Sequence, residues 1–142
     1  MASEIDLRGA AEANQRFYTA LNKSDIEEME KVWAHNMSAR CIHPGWDVLV
    51  GWSTIRESWQ SIFSGGATLN VEAGDVEVSV FGEMAWVQCL EQIRNLGETG
   101  EQLSVARATN LFVKDGGGWR MILHHASPVP SPMEEDDLGL VH

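Results

Sequence analysis

The sequence predicts an α+β domain in which three N-terminal helices pack on a strongly bent antiparallel sheet. Three observations carry that prediction. Apolar residues recur at helical spacing as far as Phe63. After Gly65-Gly66 the period drops to two and holds to Ser127. The alternating segments are joined by the short turns VFGEM, GETG and DGGG, which suit antiparallel neighbours. Helices segregated from an antiparallel sheet define the α+β class. The 142 residues, 44% of them apolar, suffice for one core. Residues 1–130 read as the domain, and 131–142 as an acidic, flexible tail that begins in the proline-rich stretch from Pro128.

The first helix covers 5–22, where Leu7, Ala10, Ala11, Tyr18 and Leu21 form an apolar stripe that also holds Asn14. The second begins at Ser24, because SDIE fits a capping box with Ser24 as N-cap and Glu27 reaching back. Two short strands fall at about 37–43 and 47–50. The third helix spans 53–64, with Trp52, Ile55, Trp59, Ile62 and Phe63 on one face and the glycine pair as its stop. Leu69, Val71 and Ala73 then alternate in one phase, and Val76, Val78 and Val80 in the other. The slip at Gly74-Asp75 reads as a β-bulge bending a long strand. Strands at 84–96, 101–114 and 119–127 complete the meander.

Charge and composition exclude several functions. The net charge is −11, four charges of it in Glu134–Asp137, and the ten basic residues are scattered. Nucleic acids and anionic membrane surfaces both require clustered cations. No apolar run approaches the roughly 18 residues of a membrane span, and the start MASEIDLRGA has no secretory pattern. Cys41 and Cys89 are too few for a disulfide framework, so reduced thiols in a cytoplasmic protein are expected.

Three stretches carry a resemblance: FYTALNKSDIEEMEKVWA, CIHPGWDVLVGWSTIRESWQSIF and ATNLFVKDGGGWRMILHHASPVP. Over roughly residues 8–130 the chain resembles the SnoaL-like families of the nuclear transport factor two-like superfamily. The last stretch also resembles the association domain of calcium/calmodulin-dependent protein kinase. The resemblance implies a cone-shaped α+β barrel with a deep pocket, and a homodimer formed through the outer sheet face. The superfamily holds isomerases, cyclases, dehydratases, hydrolases and plain assembly modules, so the fold does not choose the activity.

The resemblance also orients the strands. Asn110 falls where the ketosteroid isomerase branch has an acid donating to an oxyanion, and where the kinase association domain has a pocket arginine. The pocket face then comprises Val87, Cys89 and Glu91 on one strand, Ala106, Ala108, Asn110 and Phe112 on the next, and Ile122 and His124 on the last. His43, before Pro44, falls where the isomerase branch has its proton-moving aspartate. That family's oxyanion tyrosine falls at Phe17, and Tyr18 beside it is turned about 100° around the helix.

These residues define the candidate site. His43 or Glu91 serves as general base and Asn110 as oxyanion donor. A carboxylate on an apolar face needs a partner, and an imidazole titrates near neutrality. Trp46, Trp52, Cys89, Phe112, His124 and Tyr18 are candidate ligand contacts. The ligand is a small, neutral or cationic organic molecule, and the reaction a cofactor-independent isomerase- or cyclase-type proton transfer beside a carbonyl. A non-catalytic assembly or ligand-sensing module is the alternative. A metal site at His43, Glu91 and His124 has no ligand-spacing motif behind it, so no metal is assigned.

Overall fold

The computed structural model describes residues 3–97 and 100–130, so the acidic tail at 131–142 lies outside the described residues. In chain order the elements are α1 (Glu4–Asn22), α2 (Ile26–Val32), β1 (Arg40–Ile42), β2 (Leu49–Val50), α3 (Trp52–Phe63), β3 (Thr68–Phe81), β4 (Met84–Gly97), β5 (Gly100–Asp115) and β6 (Gly118–Val129). The six strands form one curved, unclosed sheet in the order β2-β1-β6-β5-β4-β3. All pairings are antiparallel except β1 with β6, which is parallel.

α1 starts where Ser3 Oγ accepts the Asp6 N–H at 3.0 Å. It buries Ala10, Asn14, Phe17, Tyr18 and Leu21 at three- and four-residue spacing. The N-cap of α2 is Asp25 rather than Ser24: Asp25 Oδ1 accepts the Glu28 N–H at 3.2 Å. Ser24 has φ +50° in the turn that ends α1, whereas an N-cap needs an extended backbone. The chain leaves α2 extended at Trp33, which bridges to Met121.

The bend in β3 comes from the bulge between Gly74 and Glu77. Val71 and Ala73 pair with Ile93 and Glu91 on one side of it, and Val78 and Val80 with Val87 and Ala85 on the other, so both phases face the helices. Asp75 takes the left-handed φ of +49° that this requires. A second irregularity corrects the face expected for Ile122. Leu111 pairs with Leu123 but Phe112 with Met121, which skips Ile122 and puts Met121 inside, fully buried. β6 also runs beyond Ser127, with Pro128 opposite Ala106. β1 pairs only as far as His125, so proline sits there on a free edge and forfeits no ladder bond.

The core lies between the helices and the concave face. Phe17 is its centre, with ring contacts to Tyr18 at 4.9 Å, Trp59 at 5.6 Å and His124 at 4.6 Å. Trp119 packs against Gly9 of α1 and under the Lys114 ammonium, and Lys114 also pairs with Asp6 at 2.6 Å.

Candidate functional site

A cavity of about 290 Å³ opens where α3, the chain after β1 and the far ends of β3 and β4 meet. Leu21, Ile62, Leu69, Val71 and Ile93 make it apolar, and Trp46 and Trp59 flank it. Three polar side chains line it in depth, His43, Glu91 and His124, each at most 4% exposed. Asn95 and Ser104 also line it, but on the open side, half-buried and exposed respectively.

Glu91 is placed by strand alternation, which carries Val87, Cys89 and Glu91 inward along β4. Its Oε2 accepts the Tyr18 hydroxyl at 2.7 Å. Among the described residues no cation pairs with it, and Oε1 has no hydrogen-bond partner. Burial penalises the carboxylate and pushes its pKa up to about 7, against the opposing bond from Tyr18.

Behind this carboxyl lies a chain of satisfied polar groups. Asn110, fully buried on β5, donates through Nδ2 to Asn14 Oδ1 at 2.8 Å and to the Tyr18 oxygen at 3.2 Å. Its Oδ1 accepts from His124 Nδ1 at 2.7 Å. An amide oxygen only accepts, so Nδ1 carries the His124 proton and Nε2 keeps a lone pair. Burial, with His43 and His125 nearby, lowers the His124 pKa to about 3, and the ring is neutral.

His43 is fixed by the same logic from the other side. Ser58 Oγ donates to the Ile55 carbonyl at 2.7 Å, so it accepts from His43 Nε2 at 2.9 Å. The lone pair is then on Nδ1. Cys41 Sγ lies 3.9 and 3.8 Å from Nδ1 and Nε2, nearly equidistant from both and so off the axis of the Nδ1 lone pair. Burial lowers the His43 pKa to about 4. The ring stands edge-on to Trp46 at 4.7 Å and Trp59 at 4.6 Å, and 6.4 Å from the His124 ring.

The structure thus sorts the candidate residues. His43, Glu91, His124 and Trp46 share the cavity wall. Asn110, Tyr18, Cys89 and Phe112 are buried but do not line the cavity, and both Asn110 hydrogens are spent on protein, so the oxyanion-donor role falls away from that residue. Tyr18 does not turn away: its hydroxyl joins Glu91, Asn110 and Cys89 Sγ, the last at 3.2 Å. A phenol reaches about 6 Å from its backbone, far enough to offset one helical step. Trp52 faces elsewhere, stacked on His35 at 4.7 Å. No cluster of three His, Cys, Asp or Glu arranged to hold a metal occurs among the described residues. Ser58 escaped the sequence reading, although it lies three residues after Ile55 and four before Ile62, inside the apolar stripe of α3.

Comparison with known proteins agrees with this architecture. A family model described as a SnoaL-like domain matches residues 10–132. The F-box protein SKIP8 of Arabidopsis thaliana is 26% identical over 135 residues, 95% of this chain and 54% of that protein. The chain therefore spans about half the length of that curated relative. A Streptomyces avermitilis crystal structure, provisionally assigned as a dehydratase of the nuclear transport factor two-like family, is 31% identical with a TM-score of 0.84, covering 90% of this chain and 99% of that one. A Thiobacillus denitrificans structure, provisionally assigned as a calcium/calmodulin-dependent protein kinase type II association domain, is 30% identical with a TM-score of 0.66, covering 83% and 93%. By sequence and by fold, the chain belongs to the SnoaL-like family of the nuclear transport factor two-like superfamily.

Proposed function

We propose that the chain binds a small, uncharged organic molecule in the Glu91 cavity and moves a proton on it beside a carbonyl, without a cofactor. The carrying observation is Glu91: buried on the cavity wall, one oxygen held by Tyr18, the other unpartnered, and titrating at about pH 7. Such a carboxyl holds both its acid and its base form at neutral pH, which general acid–base catalysis requires. The protonated form donates to a carbonyl oxygen or a departing hydroxyl, the task first expected of Asn110. His43 or His124, neutral with a free lone pair, receives the proton leaving carbon. The dehydratase assignment of the Streptomyces avermitilis relative supports this chemistry, since eliminating water beside a carbonyl needs that acid and that base. Asn110 acts as a positioning residue, holding the His124 tautomer.

The test is α-proton exchange of 2-tetralone in deuterated buffer, followed by proton NMR. The wild-type chain should accelerate exchange at least tenfold over buffer, and Glu91→Gln should return it to the buffer rate. Equal rates for wild type and Glu91→Gln would remove the proton-transfer role.

We further infer that the outer sheet face meets a second copy of the chain. Phe81 stacks on Trp86 at 5.1 Å there, and Met84, Trp86, Phe81 and Leu103 are exposed. The association-domain relative supports an assembling face. The two cysteines are buried and free, in keeping with a cytoplasmic setting. No helix among the described residues is long and apolar enough to cross a membrane.

A further inference from the structure

The polar groups on the cavity wall are unevenly matched, with acceptors in excess of donors. With Glu91 ionised, the wall carries at depth three acceptors that no N–H or O–H group reaches: Glu91 Oε1, His43 Nδ1, approached only by the Cys41 thiol at 3.9 Å, and His124 Nε2. The N–H and O–H groups of the network around them are spent. His43 Nε2–H goes to Ser58, His124 Nδ1–H to Asn110, the Tyr18 hydroxyl to Glu91, and both Asn110 hydrogens to Asn14 and Tyr18. The Trp59 N–H has no partner but is enclosed by protein atoms. Asn95 and Ser104 stand on the open side. No Lys or Arg lines the cavity, and the chain carries −11 overall.

We propose that, with Glu91 ionised, this cavity selects uncharged ligands bearing at least two hydroxyl hydrogens over carboxylates and ethers of the same size. The inference rests on the small-molecule reading above and deepens it. Each acceptor left facing another acceptor is desolvated without return, a penalty that discriminates more sharply than a lost apolar contact. A carboxylate meets that penalty and a like charge on Glu91. The two imidazoles, 6.4 Å apart, suit hydroxyls at opposite ends of a two-ring molecule rather than on adjacent carbons. Ser58 and Asn110 become specificity determinants without touching the ligand, because each fixes which ring nitrogen presents its lone pair.

The test uses three probes of matched shape at about pH 8, where Glu91 is ionised: 2,7-dihydroxynaphthalene, 2,7-dimethoxynaphthalene and 2-naphthoate, titrated calorimetrically into the purified chain. The diol should bind at least tenfold more tightly than either other probe. Glu91→Gln, which replaces the charge with an amide donor, should tighten 2-naphthoate at least tenfold. Ser58→Ala frees the His43 ring and should narrow the diol-to-ether ratio at least threefold, where simple loosening of the fold would weaken both probes alike. Ether or naphthoate binding as tight as the diol overturns the proposal and leaves a binding cavity standing. An unchanged diol-to-ether ratio in Ser58→Ala overturns the tautomer argument. No binding of any probe at about 1 mM, a free energy of about 4 kcal/mol, overturns the small-molecule reading and this inference with it.

Discussion

The two faces of β4 differ in how their side chains are completed. Inward, Ala85, Val87, Cys89 and Glu91 are all buried, and the polar member is bonded to Tyr18 on another element. Outward, Met84 and Trp86 remain exposed, and Trp86 stacks on Phe81 of the neighbouring strand. One strand thus supplies a face that needs the rest of its own chain and a face that does not. Mutations should divide the same way: inner-face changes act on folding and ligand, outer-face changes on association.

The largest effect is expected at Asn110. Asn110→Leu strands the His124 Nδ1–H in the core and removes the donors to Asn14 and Tyr18. With about 1–3 kcal/mol for each buried group left unpaired, the loss should reach about 4 kcal/mol by urea denaturation. A loss under about 1 kcal/mol would show the network to be decorative.

Next is the pH dependence of stability. Glu91 titrates at 4.5 when unfolded and about 7 when folded, so its contribution is complete below pH 4.5 and lost as pH rises through about 7. That is about 3 kcal/mol at about 1.4 kcal/mol per pH unit. His43 and His124 act oppositely: unfolded values of 6.5 fall to about 4 and about 3 on folding, so their contribution is present above pH 6.5 and lost on acidification. Wild type should therefore be most stable near pH 6.5. Glu91→Gln should abolish the fall on the alkaline side and keep the acidic one. Identical profiles for the two proteins would contradict the buried, unpaired carboxyl.

The smallest effect on folding is expected outside. Trp86→Gln should shift monomer stability by less than about 1 kcal/mol yet weaken self-association at least tenfold by sedimentation. A folding effect equal to that of Asn110→Leu would erase the distinction between the faces.

Much of this contrast was legible in the residues. A carboxyl alternating with Val87 and Cys89 marked Glu91, and the slip from Ala73 to Val76 marked the bulge. Asn14 on the first apolar stripe already hinted at a buried polar partner, which is Asn110. Other features were hidden. No glycine or proline signals the skip at Ile122, and Ser24 and Asp25 are both good caps until the turn consumes one. The face of Tyr18 could not be read from helical angle alone, because the length of its ring outweighs one residue of rotation.

Periodicity, turn chemistry and charge act between neighbours a few residues apart, so the sequence by itself determined the helices, the long strands, which residues share a strand face and the scattering of the ten basic residues. Whether Asn110 keeps a hydrogen for a ligand, which nitrogen His43 and His124 present, and which Glu91 oxygen is unpartnered were decided by the tertiary structure alone. Each depends on a partner between 14 and 96 residues away, and a hydrogen bond's donor and acceptor are assigned only when both ends are in place.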